Sequence, residues 1–175
     1  MSRYNMIKQT NNTVKEAEIA HFQKDSAHWW DEDGAFAPLH KLNPVRIKFI
    51  RDEVQKKHSS LKNLDILDIG CGGGLVCEPL CRLGANITGI DADSQAIGVA
   101  KGHANEQSID ITYKNTTSEA VSTQKKKYDV VCALEIIEHV EDPAFFLQTC
   151  IECLKPDGLL IISTLNRTPQ SFLMG

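Results

Sequence analysis

The chain has 175 residues, 42% of them hydrophobic and 24% charged, a globular balance that excludes a collagenous, mucin-like or wholly disordered protein. At that length one domain can bury roughly 70% of the surface exposed by its unfolded chain. Nineteen Lys and Arg against twenty-three Asp and Glu leave a net charge of -4, which offers no overall grip on a phosphate backbone, so nucleic acid is not an expected partner.

No apolar run approaches the ~18–20 residues that span a bilayer. The N-terminal segment carries Arg3, Lys8 and Lys15 but no apolar core of a secretory signal. Cys71, Cys77, Cys81, Cys132, Cys150 and Cys153 are scattered through apolar stretches, which predicts free thiols in a reducing compartment. Cys150-x-x-Cys153 has no second pair or nearby histidine to complete a tetrahedral zinc site and reads as helix packing.

Residues 1–60 read as a helical, amphipathic cap or lid, whereas residues 61–175 alternate strand and helix patterns, the signature of an α/β parallel sheet. The spacing predicts a short helix from Glu16 to Trp30, with Ile19, Phe22, Trp29 and Trp30 apolar, stopped by Asp31-Glu32-Asp33-Gly34. A second helix is predicted to start at Asn43-Pro44, with Asn as N-cap and Pro first in the helix. Val45, Phe49, Ile50 and Val54 would form its apolar stripe.

The alternating region opens with a predicted strand at Leu64–Ile69, then Gly70-Cys71-Gly72-Gly73-Gly74 and a helix to about Leu83, closed by Gly84. Pro79 inside that helix should bend it or leave a hydrogen bond unmade. Asn86–Ile90 is the second strand, ending in Asp91. Asp93 or Ser94 caps the next helix, which Gly98 and Gly102 weaken. Ile111–Lys114 and Tyr128–Ala133 read as the third and fourth strands, and Asp142-Pro143 starts a helix ending near Lys155-Pro156-Asp157-Gly158. Leu159–Thr164 is a fifth strand, apolar on both faces and therefore expected to be central. With Gly175 soon after it, the expectation is a C-terminally incomplete folding unit, a fragment or shortened form whose later strands would cover strand five.

The glycine loop lets the backbone turn sharply and lets a ligand approach main-chain N–H groups. It lies at the carboxyl end of the first strand, where open α/β sheets bind ligands. Asp91, ending the second strand, can accept both hydroxyls of an adenosine ribose. A dinucleotide fingerprint beginning at Gly70 and Gly72 needs its third glycine at position 75, where Leu75 stands. Asp68 would repel a pyrophosphate but suits the ammonium of a methionine moiety. The spacing therefore favours S-adenosylmethionine over NAD or an unliganded turn.

Glu135, Glu138 and His139 share one face if their segment is helical. They could hold one cation, with Mg²⁺ or Mn²⁺ favoured by the oxygens and Zn²⁺ kept in play by the histidine. His139 could instead be a general base, or the acids could simply suit a solvated helix start. On spacing the three readings stand level. Trp29-Trp30 suits a lid over an apolar substrate or, more commonly, a core anchor. Lys125-Lys126-Lys127 reads as a solvated loop, and His21, His28, His40, His58 and His103 show no partner pattern.

Six segments then occur together in order: His28-Trp29-Trp30-Asp31, Pro38-Leu39-His40, Asn43-Pro44-x-Arg46, Leu67-Asp68-Ile69-Gly70-Cys71-Gly72-Gly73-Gly74, Glu135-x-x-Glu138-His139-Val140 and Ser163-Thr164-Leu165-Asn166-Arg167. From about Ile19 to its last residue the chain resembles the ubiquinone-biosynthesis O-methyltransferases, class I S-adenosylmethionine enzymes. The glycine motif points only to the superfamily. The tryptophan, Pro-Leu-His and Asn-Pro-x-Arg segments are specific to the family.

The resemblance implies a Rossmann-like sheet of strand order 3-2-1-4-5, with N-terminal helices and later edge strands beyond this chain. Residues 61–175 would then be the S-adenosylmethionine-binding domain. It implies methylation of ring hydroxyls on polyprenylated phenol and catechol intermediates of ubiquinone synthesis, of the demethylubiquinol type. Arg46, Gly70, Asp91 and Leu134 carry over as cofactor contacts, beside Asp68 and Gly72 of the motif. Glu135, Glu138 and His139 carry over as ligands of a divalent cation, with Mg²⁺ favoured and His139 also the candidate base.

The implied partners are the substrate, a quinone-synthesis complex and a peripheral membrane contact, without nucleic acid. The 78–85 segment suggests the matrix face of the mitochondrial inner membrane, with a bacterial cytoplasm as the alternative. A shortened, non-catalytic cofactor-binding scaffold is the competing functional reading.

Overall fold

Runs of branched and aliphatic residues alternate with helices from residue 65 onward, and each run forms a parallel strand. The computed structural model describes residues 26–164. Ile19 and Phe22 of the first predicted helix, and the motif residues beyond Thr164, lie outside them. The strands are β1 (Asp65–Ile69), β2 (Asn86–Asp91), β3 (Thr112–Asn115), β4 (Tyr128–Leu134) and β5 (Leu154–Ser163), in the order β3-β2-β1-β4-β5. Ile69 pairs with both Ile90 and Ala133, so the carboxyl ends of β1, β2 and β4 finish level. The order reverses beside β1, which makes the crevice above these ends the natural ligand position.

The helices are α1 (Ala37–Gln55), α2 (Cys77–Arg82), α3 (Ser94–Glu106), α4 (Ser118–Ser122) and α5 (Pro143–Glu152), with 3-10 turns at Ser26–His28 and Ile137–His139. Alternate strand residues point to opposite faces. Ile66, Val130 and Ile161 pack with α1, α2 and α3 on one side. Leu67, Ile90 and Val131 pack with α4 and α5 on the other. The six cysteines are free, and Cys150 and Cys153 are fully buried in the second cluster, as core packing requires.

Local expectations change at α1 and at the start of β5. The helix expected from Asn43 already begins at Ala37, with Pro38 in its first turn and Pro44 in its interior. Asn43 is not its cap; the side-chain amide donates to Leu75 O at 2.6 Å. Of the expected stripe only Ile50 and Val54 are buried, while Val45 and Phe49 are 63% and 54% exposed. Pro79 falls in the first turn of α2, where Glu78 and Leu80 donate to Gly74 O and Val76 O; the bond Pro79 cannot make leaves Leu75 O free to accept the Asn43 amide instead. β5 begins at Leu154, before the expected Leu159, through an irregular stretch against β4, and is the outer strand of the described sheet.

Candidate active site

Asp68 lies one residue before the end of β1, 2% exposed beneath the glycine loop. Burial pushes its carboxyl up to about 7, and a hydrogen bond from Cys77 Sγ at 3.2 Å opposes the rise. The N–H groups of Gly70 and Cys71 donate to Ile90 O at 2.8 and 3.0 Å, tying the loop to the end of β2. Asp91 completes that tie: Oδ2 accepts Gly72 N–H at 2.9 Å and Oδ1 accepts Asp93 N–H at 2.8 Å. Burial raises its pKa while these bonds resist the shift. Each oxygen keeps a further lone pair for a ligand hydroxyl.

β4 delivers the opposite wall. After Leu134 the backbone turns at Glu135 with φ +53, a left-handed conformation uncommon for a side-chain-bearing residue and often found at functional sites. Glu135 N–H donates to Ser163 O at 2.9 Å, and Ser163 Oγ donates to Glu135 Oε1 at 2.7 Å. Arg46 Nη2 is 3.1 Å from the same oxygen, with the two side chains only 11% and 16% exposed. That distance makes an ion pair, yet neither Arg46 Nε nor Nη2 has a well-directed hydrogen bond among the described residues. Glu138 and His139 follow on the 3-10 turn. Glu135 stands outside that turn, so the shared helical face expected for Glu135, Glu138 and His139 does not form. Among the described residues no three His, Cys, Asp or Glu side chains gather closely enough to hold a metal ion.

The roof comes from the segment before β1. Trp29 stacks on Phe36 with ring centroids 3.8 Å apart and planes 6° apart. A Cβ on Gly72, itself at φ +51, would lie 2.4 Å from the Trp29 ring. Glycine is therefore needed there both for the turn and for the close approach of this indole. Arg46, Asp68, Gly70, Gly72, Asp91, Leu134, Glu135, Glu138 and His139 all line one cleft of about 470 Å³. That is a size typical of small-molecule sites.

A methyltransferase domain family matches residues 39–173. A ubiquinone biosynthesis O-methyltransferase of Cereibacter sphaeroides is 44% identical over 173 residues, 95% of this chain and 70% of that protein. One of Rhodopseudomonas palustris is 48% identical over 170 residues, 93% of this chain and 67% of that protein. The chain belongs to the ubiquinone biosynthesis O-methyltransferase family. Among solved structures, the magnesium protoporphyrin IX methyltransferase of Synechocystis with bound SAM superposes with a TM-score of 0.65 at 19% identity, covering 83% of this chain and 75% of that one. Likeness at that identity carries the fold, a class I methyltransferase sheet.

S-adenosylmethionine fits the cleft of this O-methyltransferase. Arg46 presents a buried guanidinium with unused donors, and Asp68 and Asp91 offer carboxylates on either side of the glycine loop. Residue patterns alone missed the rest of the wall. Phe36, Leu39, Val140 and Phe146 supply apolar lining, and Thr117 and Ser118 border the cleft after β3. Leu39 and Val140 stand in the quoted family segments, whereas Phe36, Phe146, Thr117 and Ser118 stand at no motif spacing. The nearest signal in the sequence is the spacing of Leu39 and Leu42 on α1.

Proposed function

We propose that this O-methyltransferase methylates a ring hydroxyl of a polyprenylated phenol or catechol, of the demethylubiquinol type, with S-adenosylmethionine as donor. One observation carries the reading: Glu138 and His139 meet an apolar wall in the same cleft that holds Arg46, Asp68 and Asp91. The relatives' names support the substrate class. Residues before about 60 serve as a cap over the cleft in this reading.

When bound, S-adenosylmethionine supplies an electrophilic methyl group on a sulfonium. Arg46 pairs with the methionine carboxylate, leaving Glu135 to Ser163. Asp68 ionises against the ammonium, and Asp91 accepts the ribose hydroxyls. Gly70, Gly72 and Leu134 line the cofactor without side-chain polarity. His139 takes the proton of the ring hydroxyl and so leaves a phenolate oxygen as the nucleophile, while Val140 and Phe146 keep water from it. Magnesium on Glu135, Glu138 and His139 is the further implication of the resemblance. Glu135 as it stands faces Arg46 and Ser163, so the three do not fit a shared ion and the step above uses none.

A polyprenyl tail holds the substrate in a bilayer, so this reading includes a peripheral membrane contact and delivery within a quinone-synthesis complex. No described helix is long and apolar enough to cross a membrane. The bacterial relatives favour a bacterial cytoplasm over the mitochondrial matrix face.

The test is transfer of label from methyl-tritiated S-adenosylmethionine to a short-tailed demethylubiquinol. His139→Asn should lower turnover about 10²–10⁴-fold while leaving S-adenosylhomocysteine affinity within about twofold. Absence of label in the quinol from a cofactor-binding parent chain overturns the substrate assignment.

A further inference from the structure

Glu78 is a buried acid that the reaction does not use. It is 2% exposed in the first turn of α2, and its N–H donates to Gly74 O, so it is anchored where the glycine loop ends. A carboxylate so deep requires partners. Its Oε1 lies 2.6 Å from His103 Nδ1 on α3, and Arg82 Nη2 stands 3.6 Å from Oε2. A carboxylate can only accept, so Nδ1 donates to it and the ring orientation is set.

The far face of that imidazole is occupied. Trp30 stacks on His103 with centroids 3.5 Å apart and planes 8° apart, and its Nε1 donates to Gly73 O at 3.0 Å. His40 closes the other side: it meets Trp30 edge-on at 6.1 Å and lies with Nε2 2.8 Å from Trp29 O. A chain of direct contacts thus runs from Glu78 through His103 and Trp30 to the carbonyl of Gly73. The neighbouring Trp29 lies against Gly72 and Gly73 and also lines the cleft.

We infer that Glu78 and His103 are positioning residues for the cofactor: they hold Trp30 flat so that its indole N–H fixes the Gly73 peptide and with it the shape of the glycine loop. The inference rests on cofactor binding at that loop. Neither residue reaches the cleft, and their effect passes through Trp30.

A merely structural staple would lower stability and leave ligand affinity and coupling untouched. The experiment is calorimetric titration of S-adenosylhomocysteine into the parent, His103→Ala, Trp30→Phe and the double variant. Each single substitution should weaken binding about five- to tenfold, the worth of one lost hydrogen bond. The double variant should bind no more weakly than the poorer single one, because both remove the same contact chain. Glu78→Gln keeps an acceptor for the imidazole and should stay within about twofold of the parent.

In a Trp29→Phe background Trp30 is the sole tryptophan, and its emission should change on His103→Ala as the stack is lost. Should His103→Ala fail to fold, His103→Leu fills the space without an aromatic face or the pairing, and should lose the stacked emission while weakening binding about fivefold. Affinity within about twofold of the parent in a folded His103 variant, or additive losses in the double variant, overturns the inference. A parent chain that binds no S-adenosylhomocysteine would instead overturn the cofactor assignment itself.

Discussion

Asp68 shows how one side chain serves binding at the expense of stability. Its carboxyl is pushed up to about 7 mainly by lost hydration, against an ordinary value of 3.8. Below the ordinary value both folded and unfolded chains are protonated there. Between it and about 7 the unfolded chain releases a proton that the folded chain retains, so stability falls as pH rises through this window and levels off above it. Asp68→Asn should remove that fall: in urea denaturation the variant should be more stable than the parent at about pH 8, and equal to it at about pH 3. The same change should weaken S-adenosylmethionine binding about tenfold, since an ammonium loses its counter-charge. Asp91→Ala should weaken S-adenosylhomocysteine binding by about 1–3 kcal/mol in calorimetry, because ligand hydroxyls and the Gly72 and Asp93 amides lose their acceptor together. Position 68 was visible as an acid before the glycines. Its proton affinity was not, because desolvation depends on what α2 places over it.

At the scale of elements, short-range chemistry predicts boundaries well where a side chain caps a helix. Asp93 accepts Gln95 N–H at 2.8 Å, and Asp142 accepts Phe145 N–H at 3.0 Å, each at the start of a helix expected there. Asp142→Ala should cost about 1 kcal/mol in thermal or urea unfolding, with S-adenosylhomocysteine affinity unchanged, since Asp142 itself does not line the cleft. The rule misleads at Asn43-Pro44, where the same residue pair sits inside α1. Pro38 offers an earlier first-turn proline, and the Asn43 side chain is drawn away to Leu75. Glu135 is the other departure. A helical spacing of acids and histidine is interrupted by a left-handed residue, which the pull of Ser163 and Arg46 stabilises.

For the molecule as a whole, one face remains apolar. Leu42, Val45 and Phe49 on α1 are exposed beside a groove bordered by Ile161 and Ile162 of the outer strand β5. Exposed apolar side chains next to an outer strand favour association between chains. Sedimentation velocity on this chain should therefore show concentration-dependent association that Phe49→Lys reduces, with no loss of S-adenosylhomocysteine binding.

The α/β class, the strand sequence, the glycine turn and the acids at the ends of β1 and β2 follow from the amino-acid order, because residue periodicity and turn chemistry act over a few neighbours. The partnerships that give these residues their properties do not. Glu78 and His103 are 25 positions apart, and Trp30 and Gly73 are 43 apart. No local pattern marks either pair, and only the packing of helices on the sheet brings them within bonding distance.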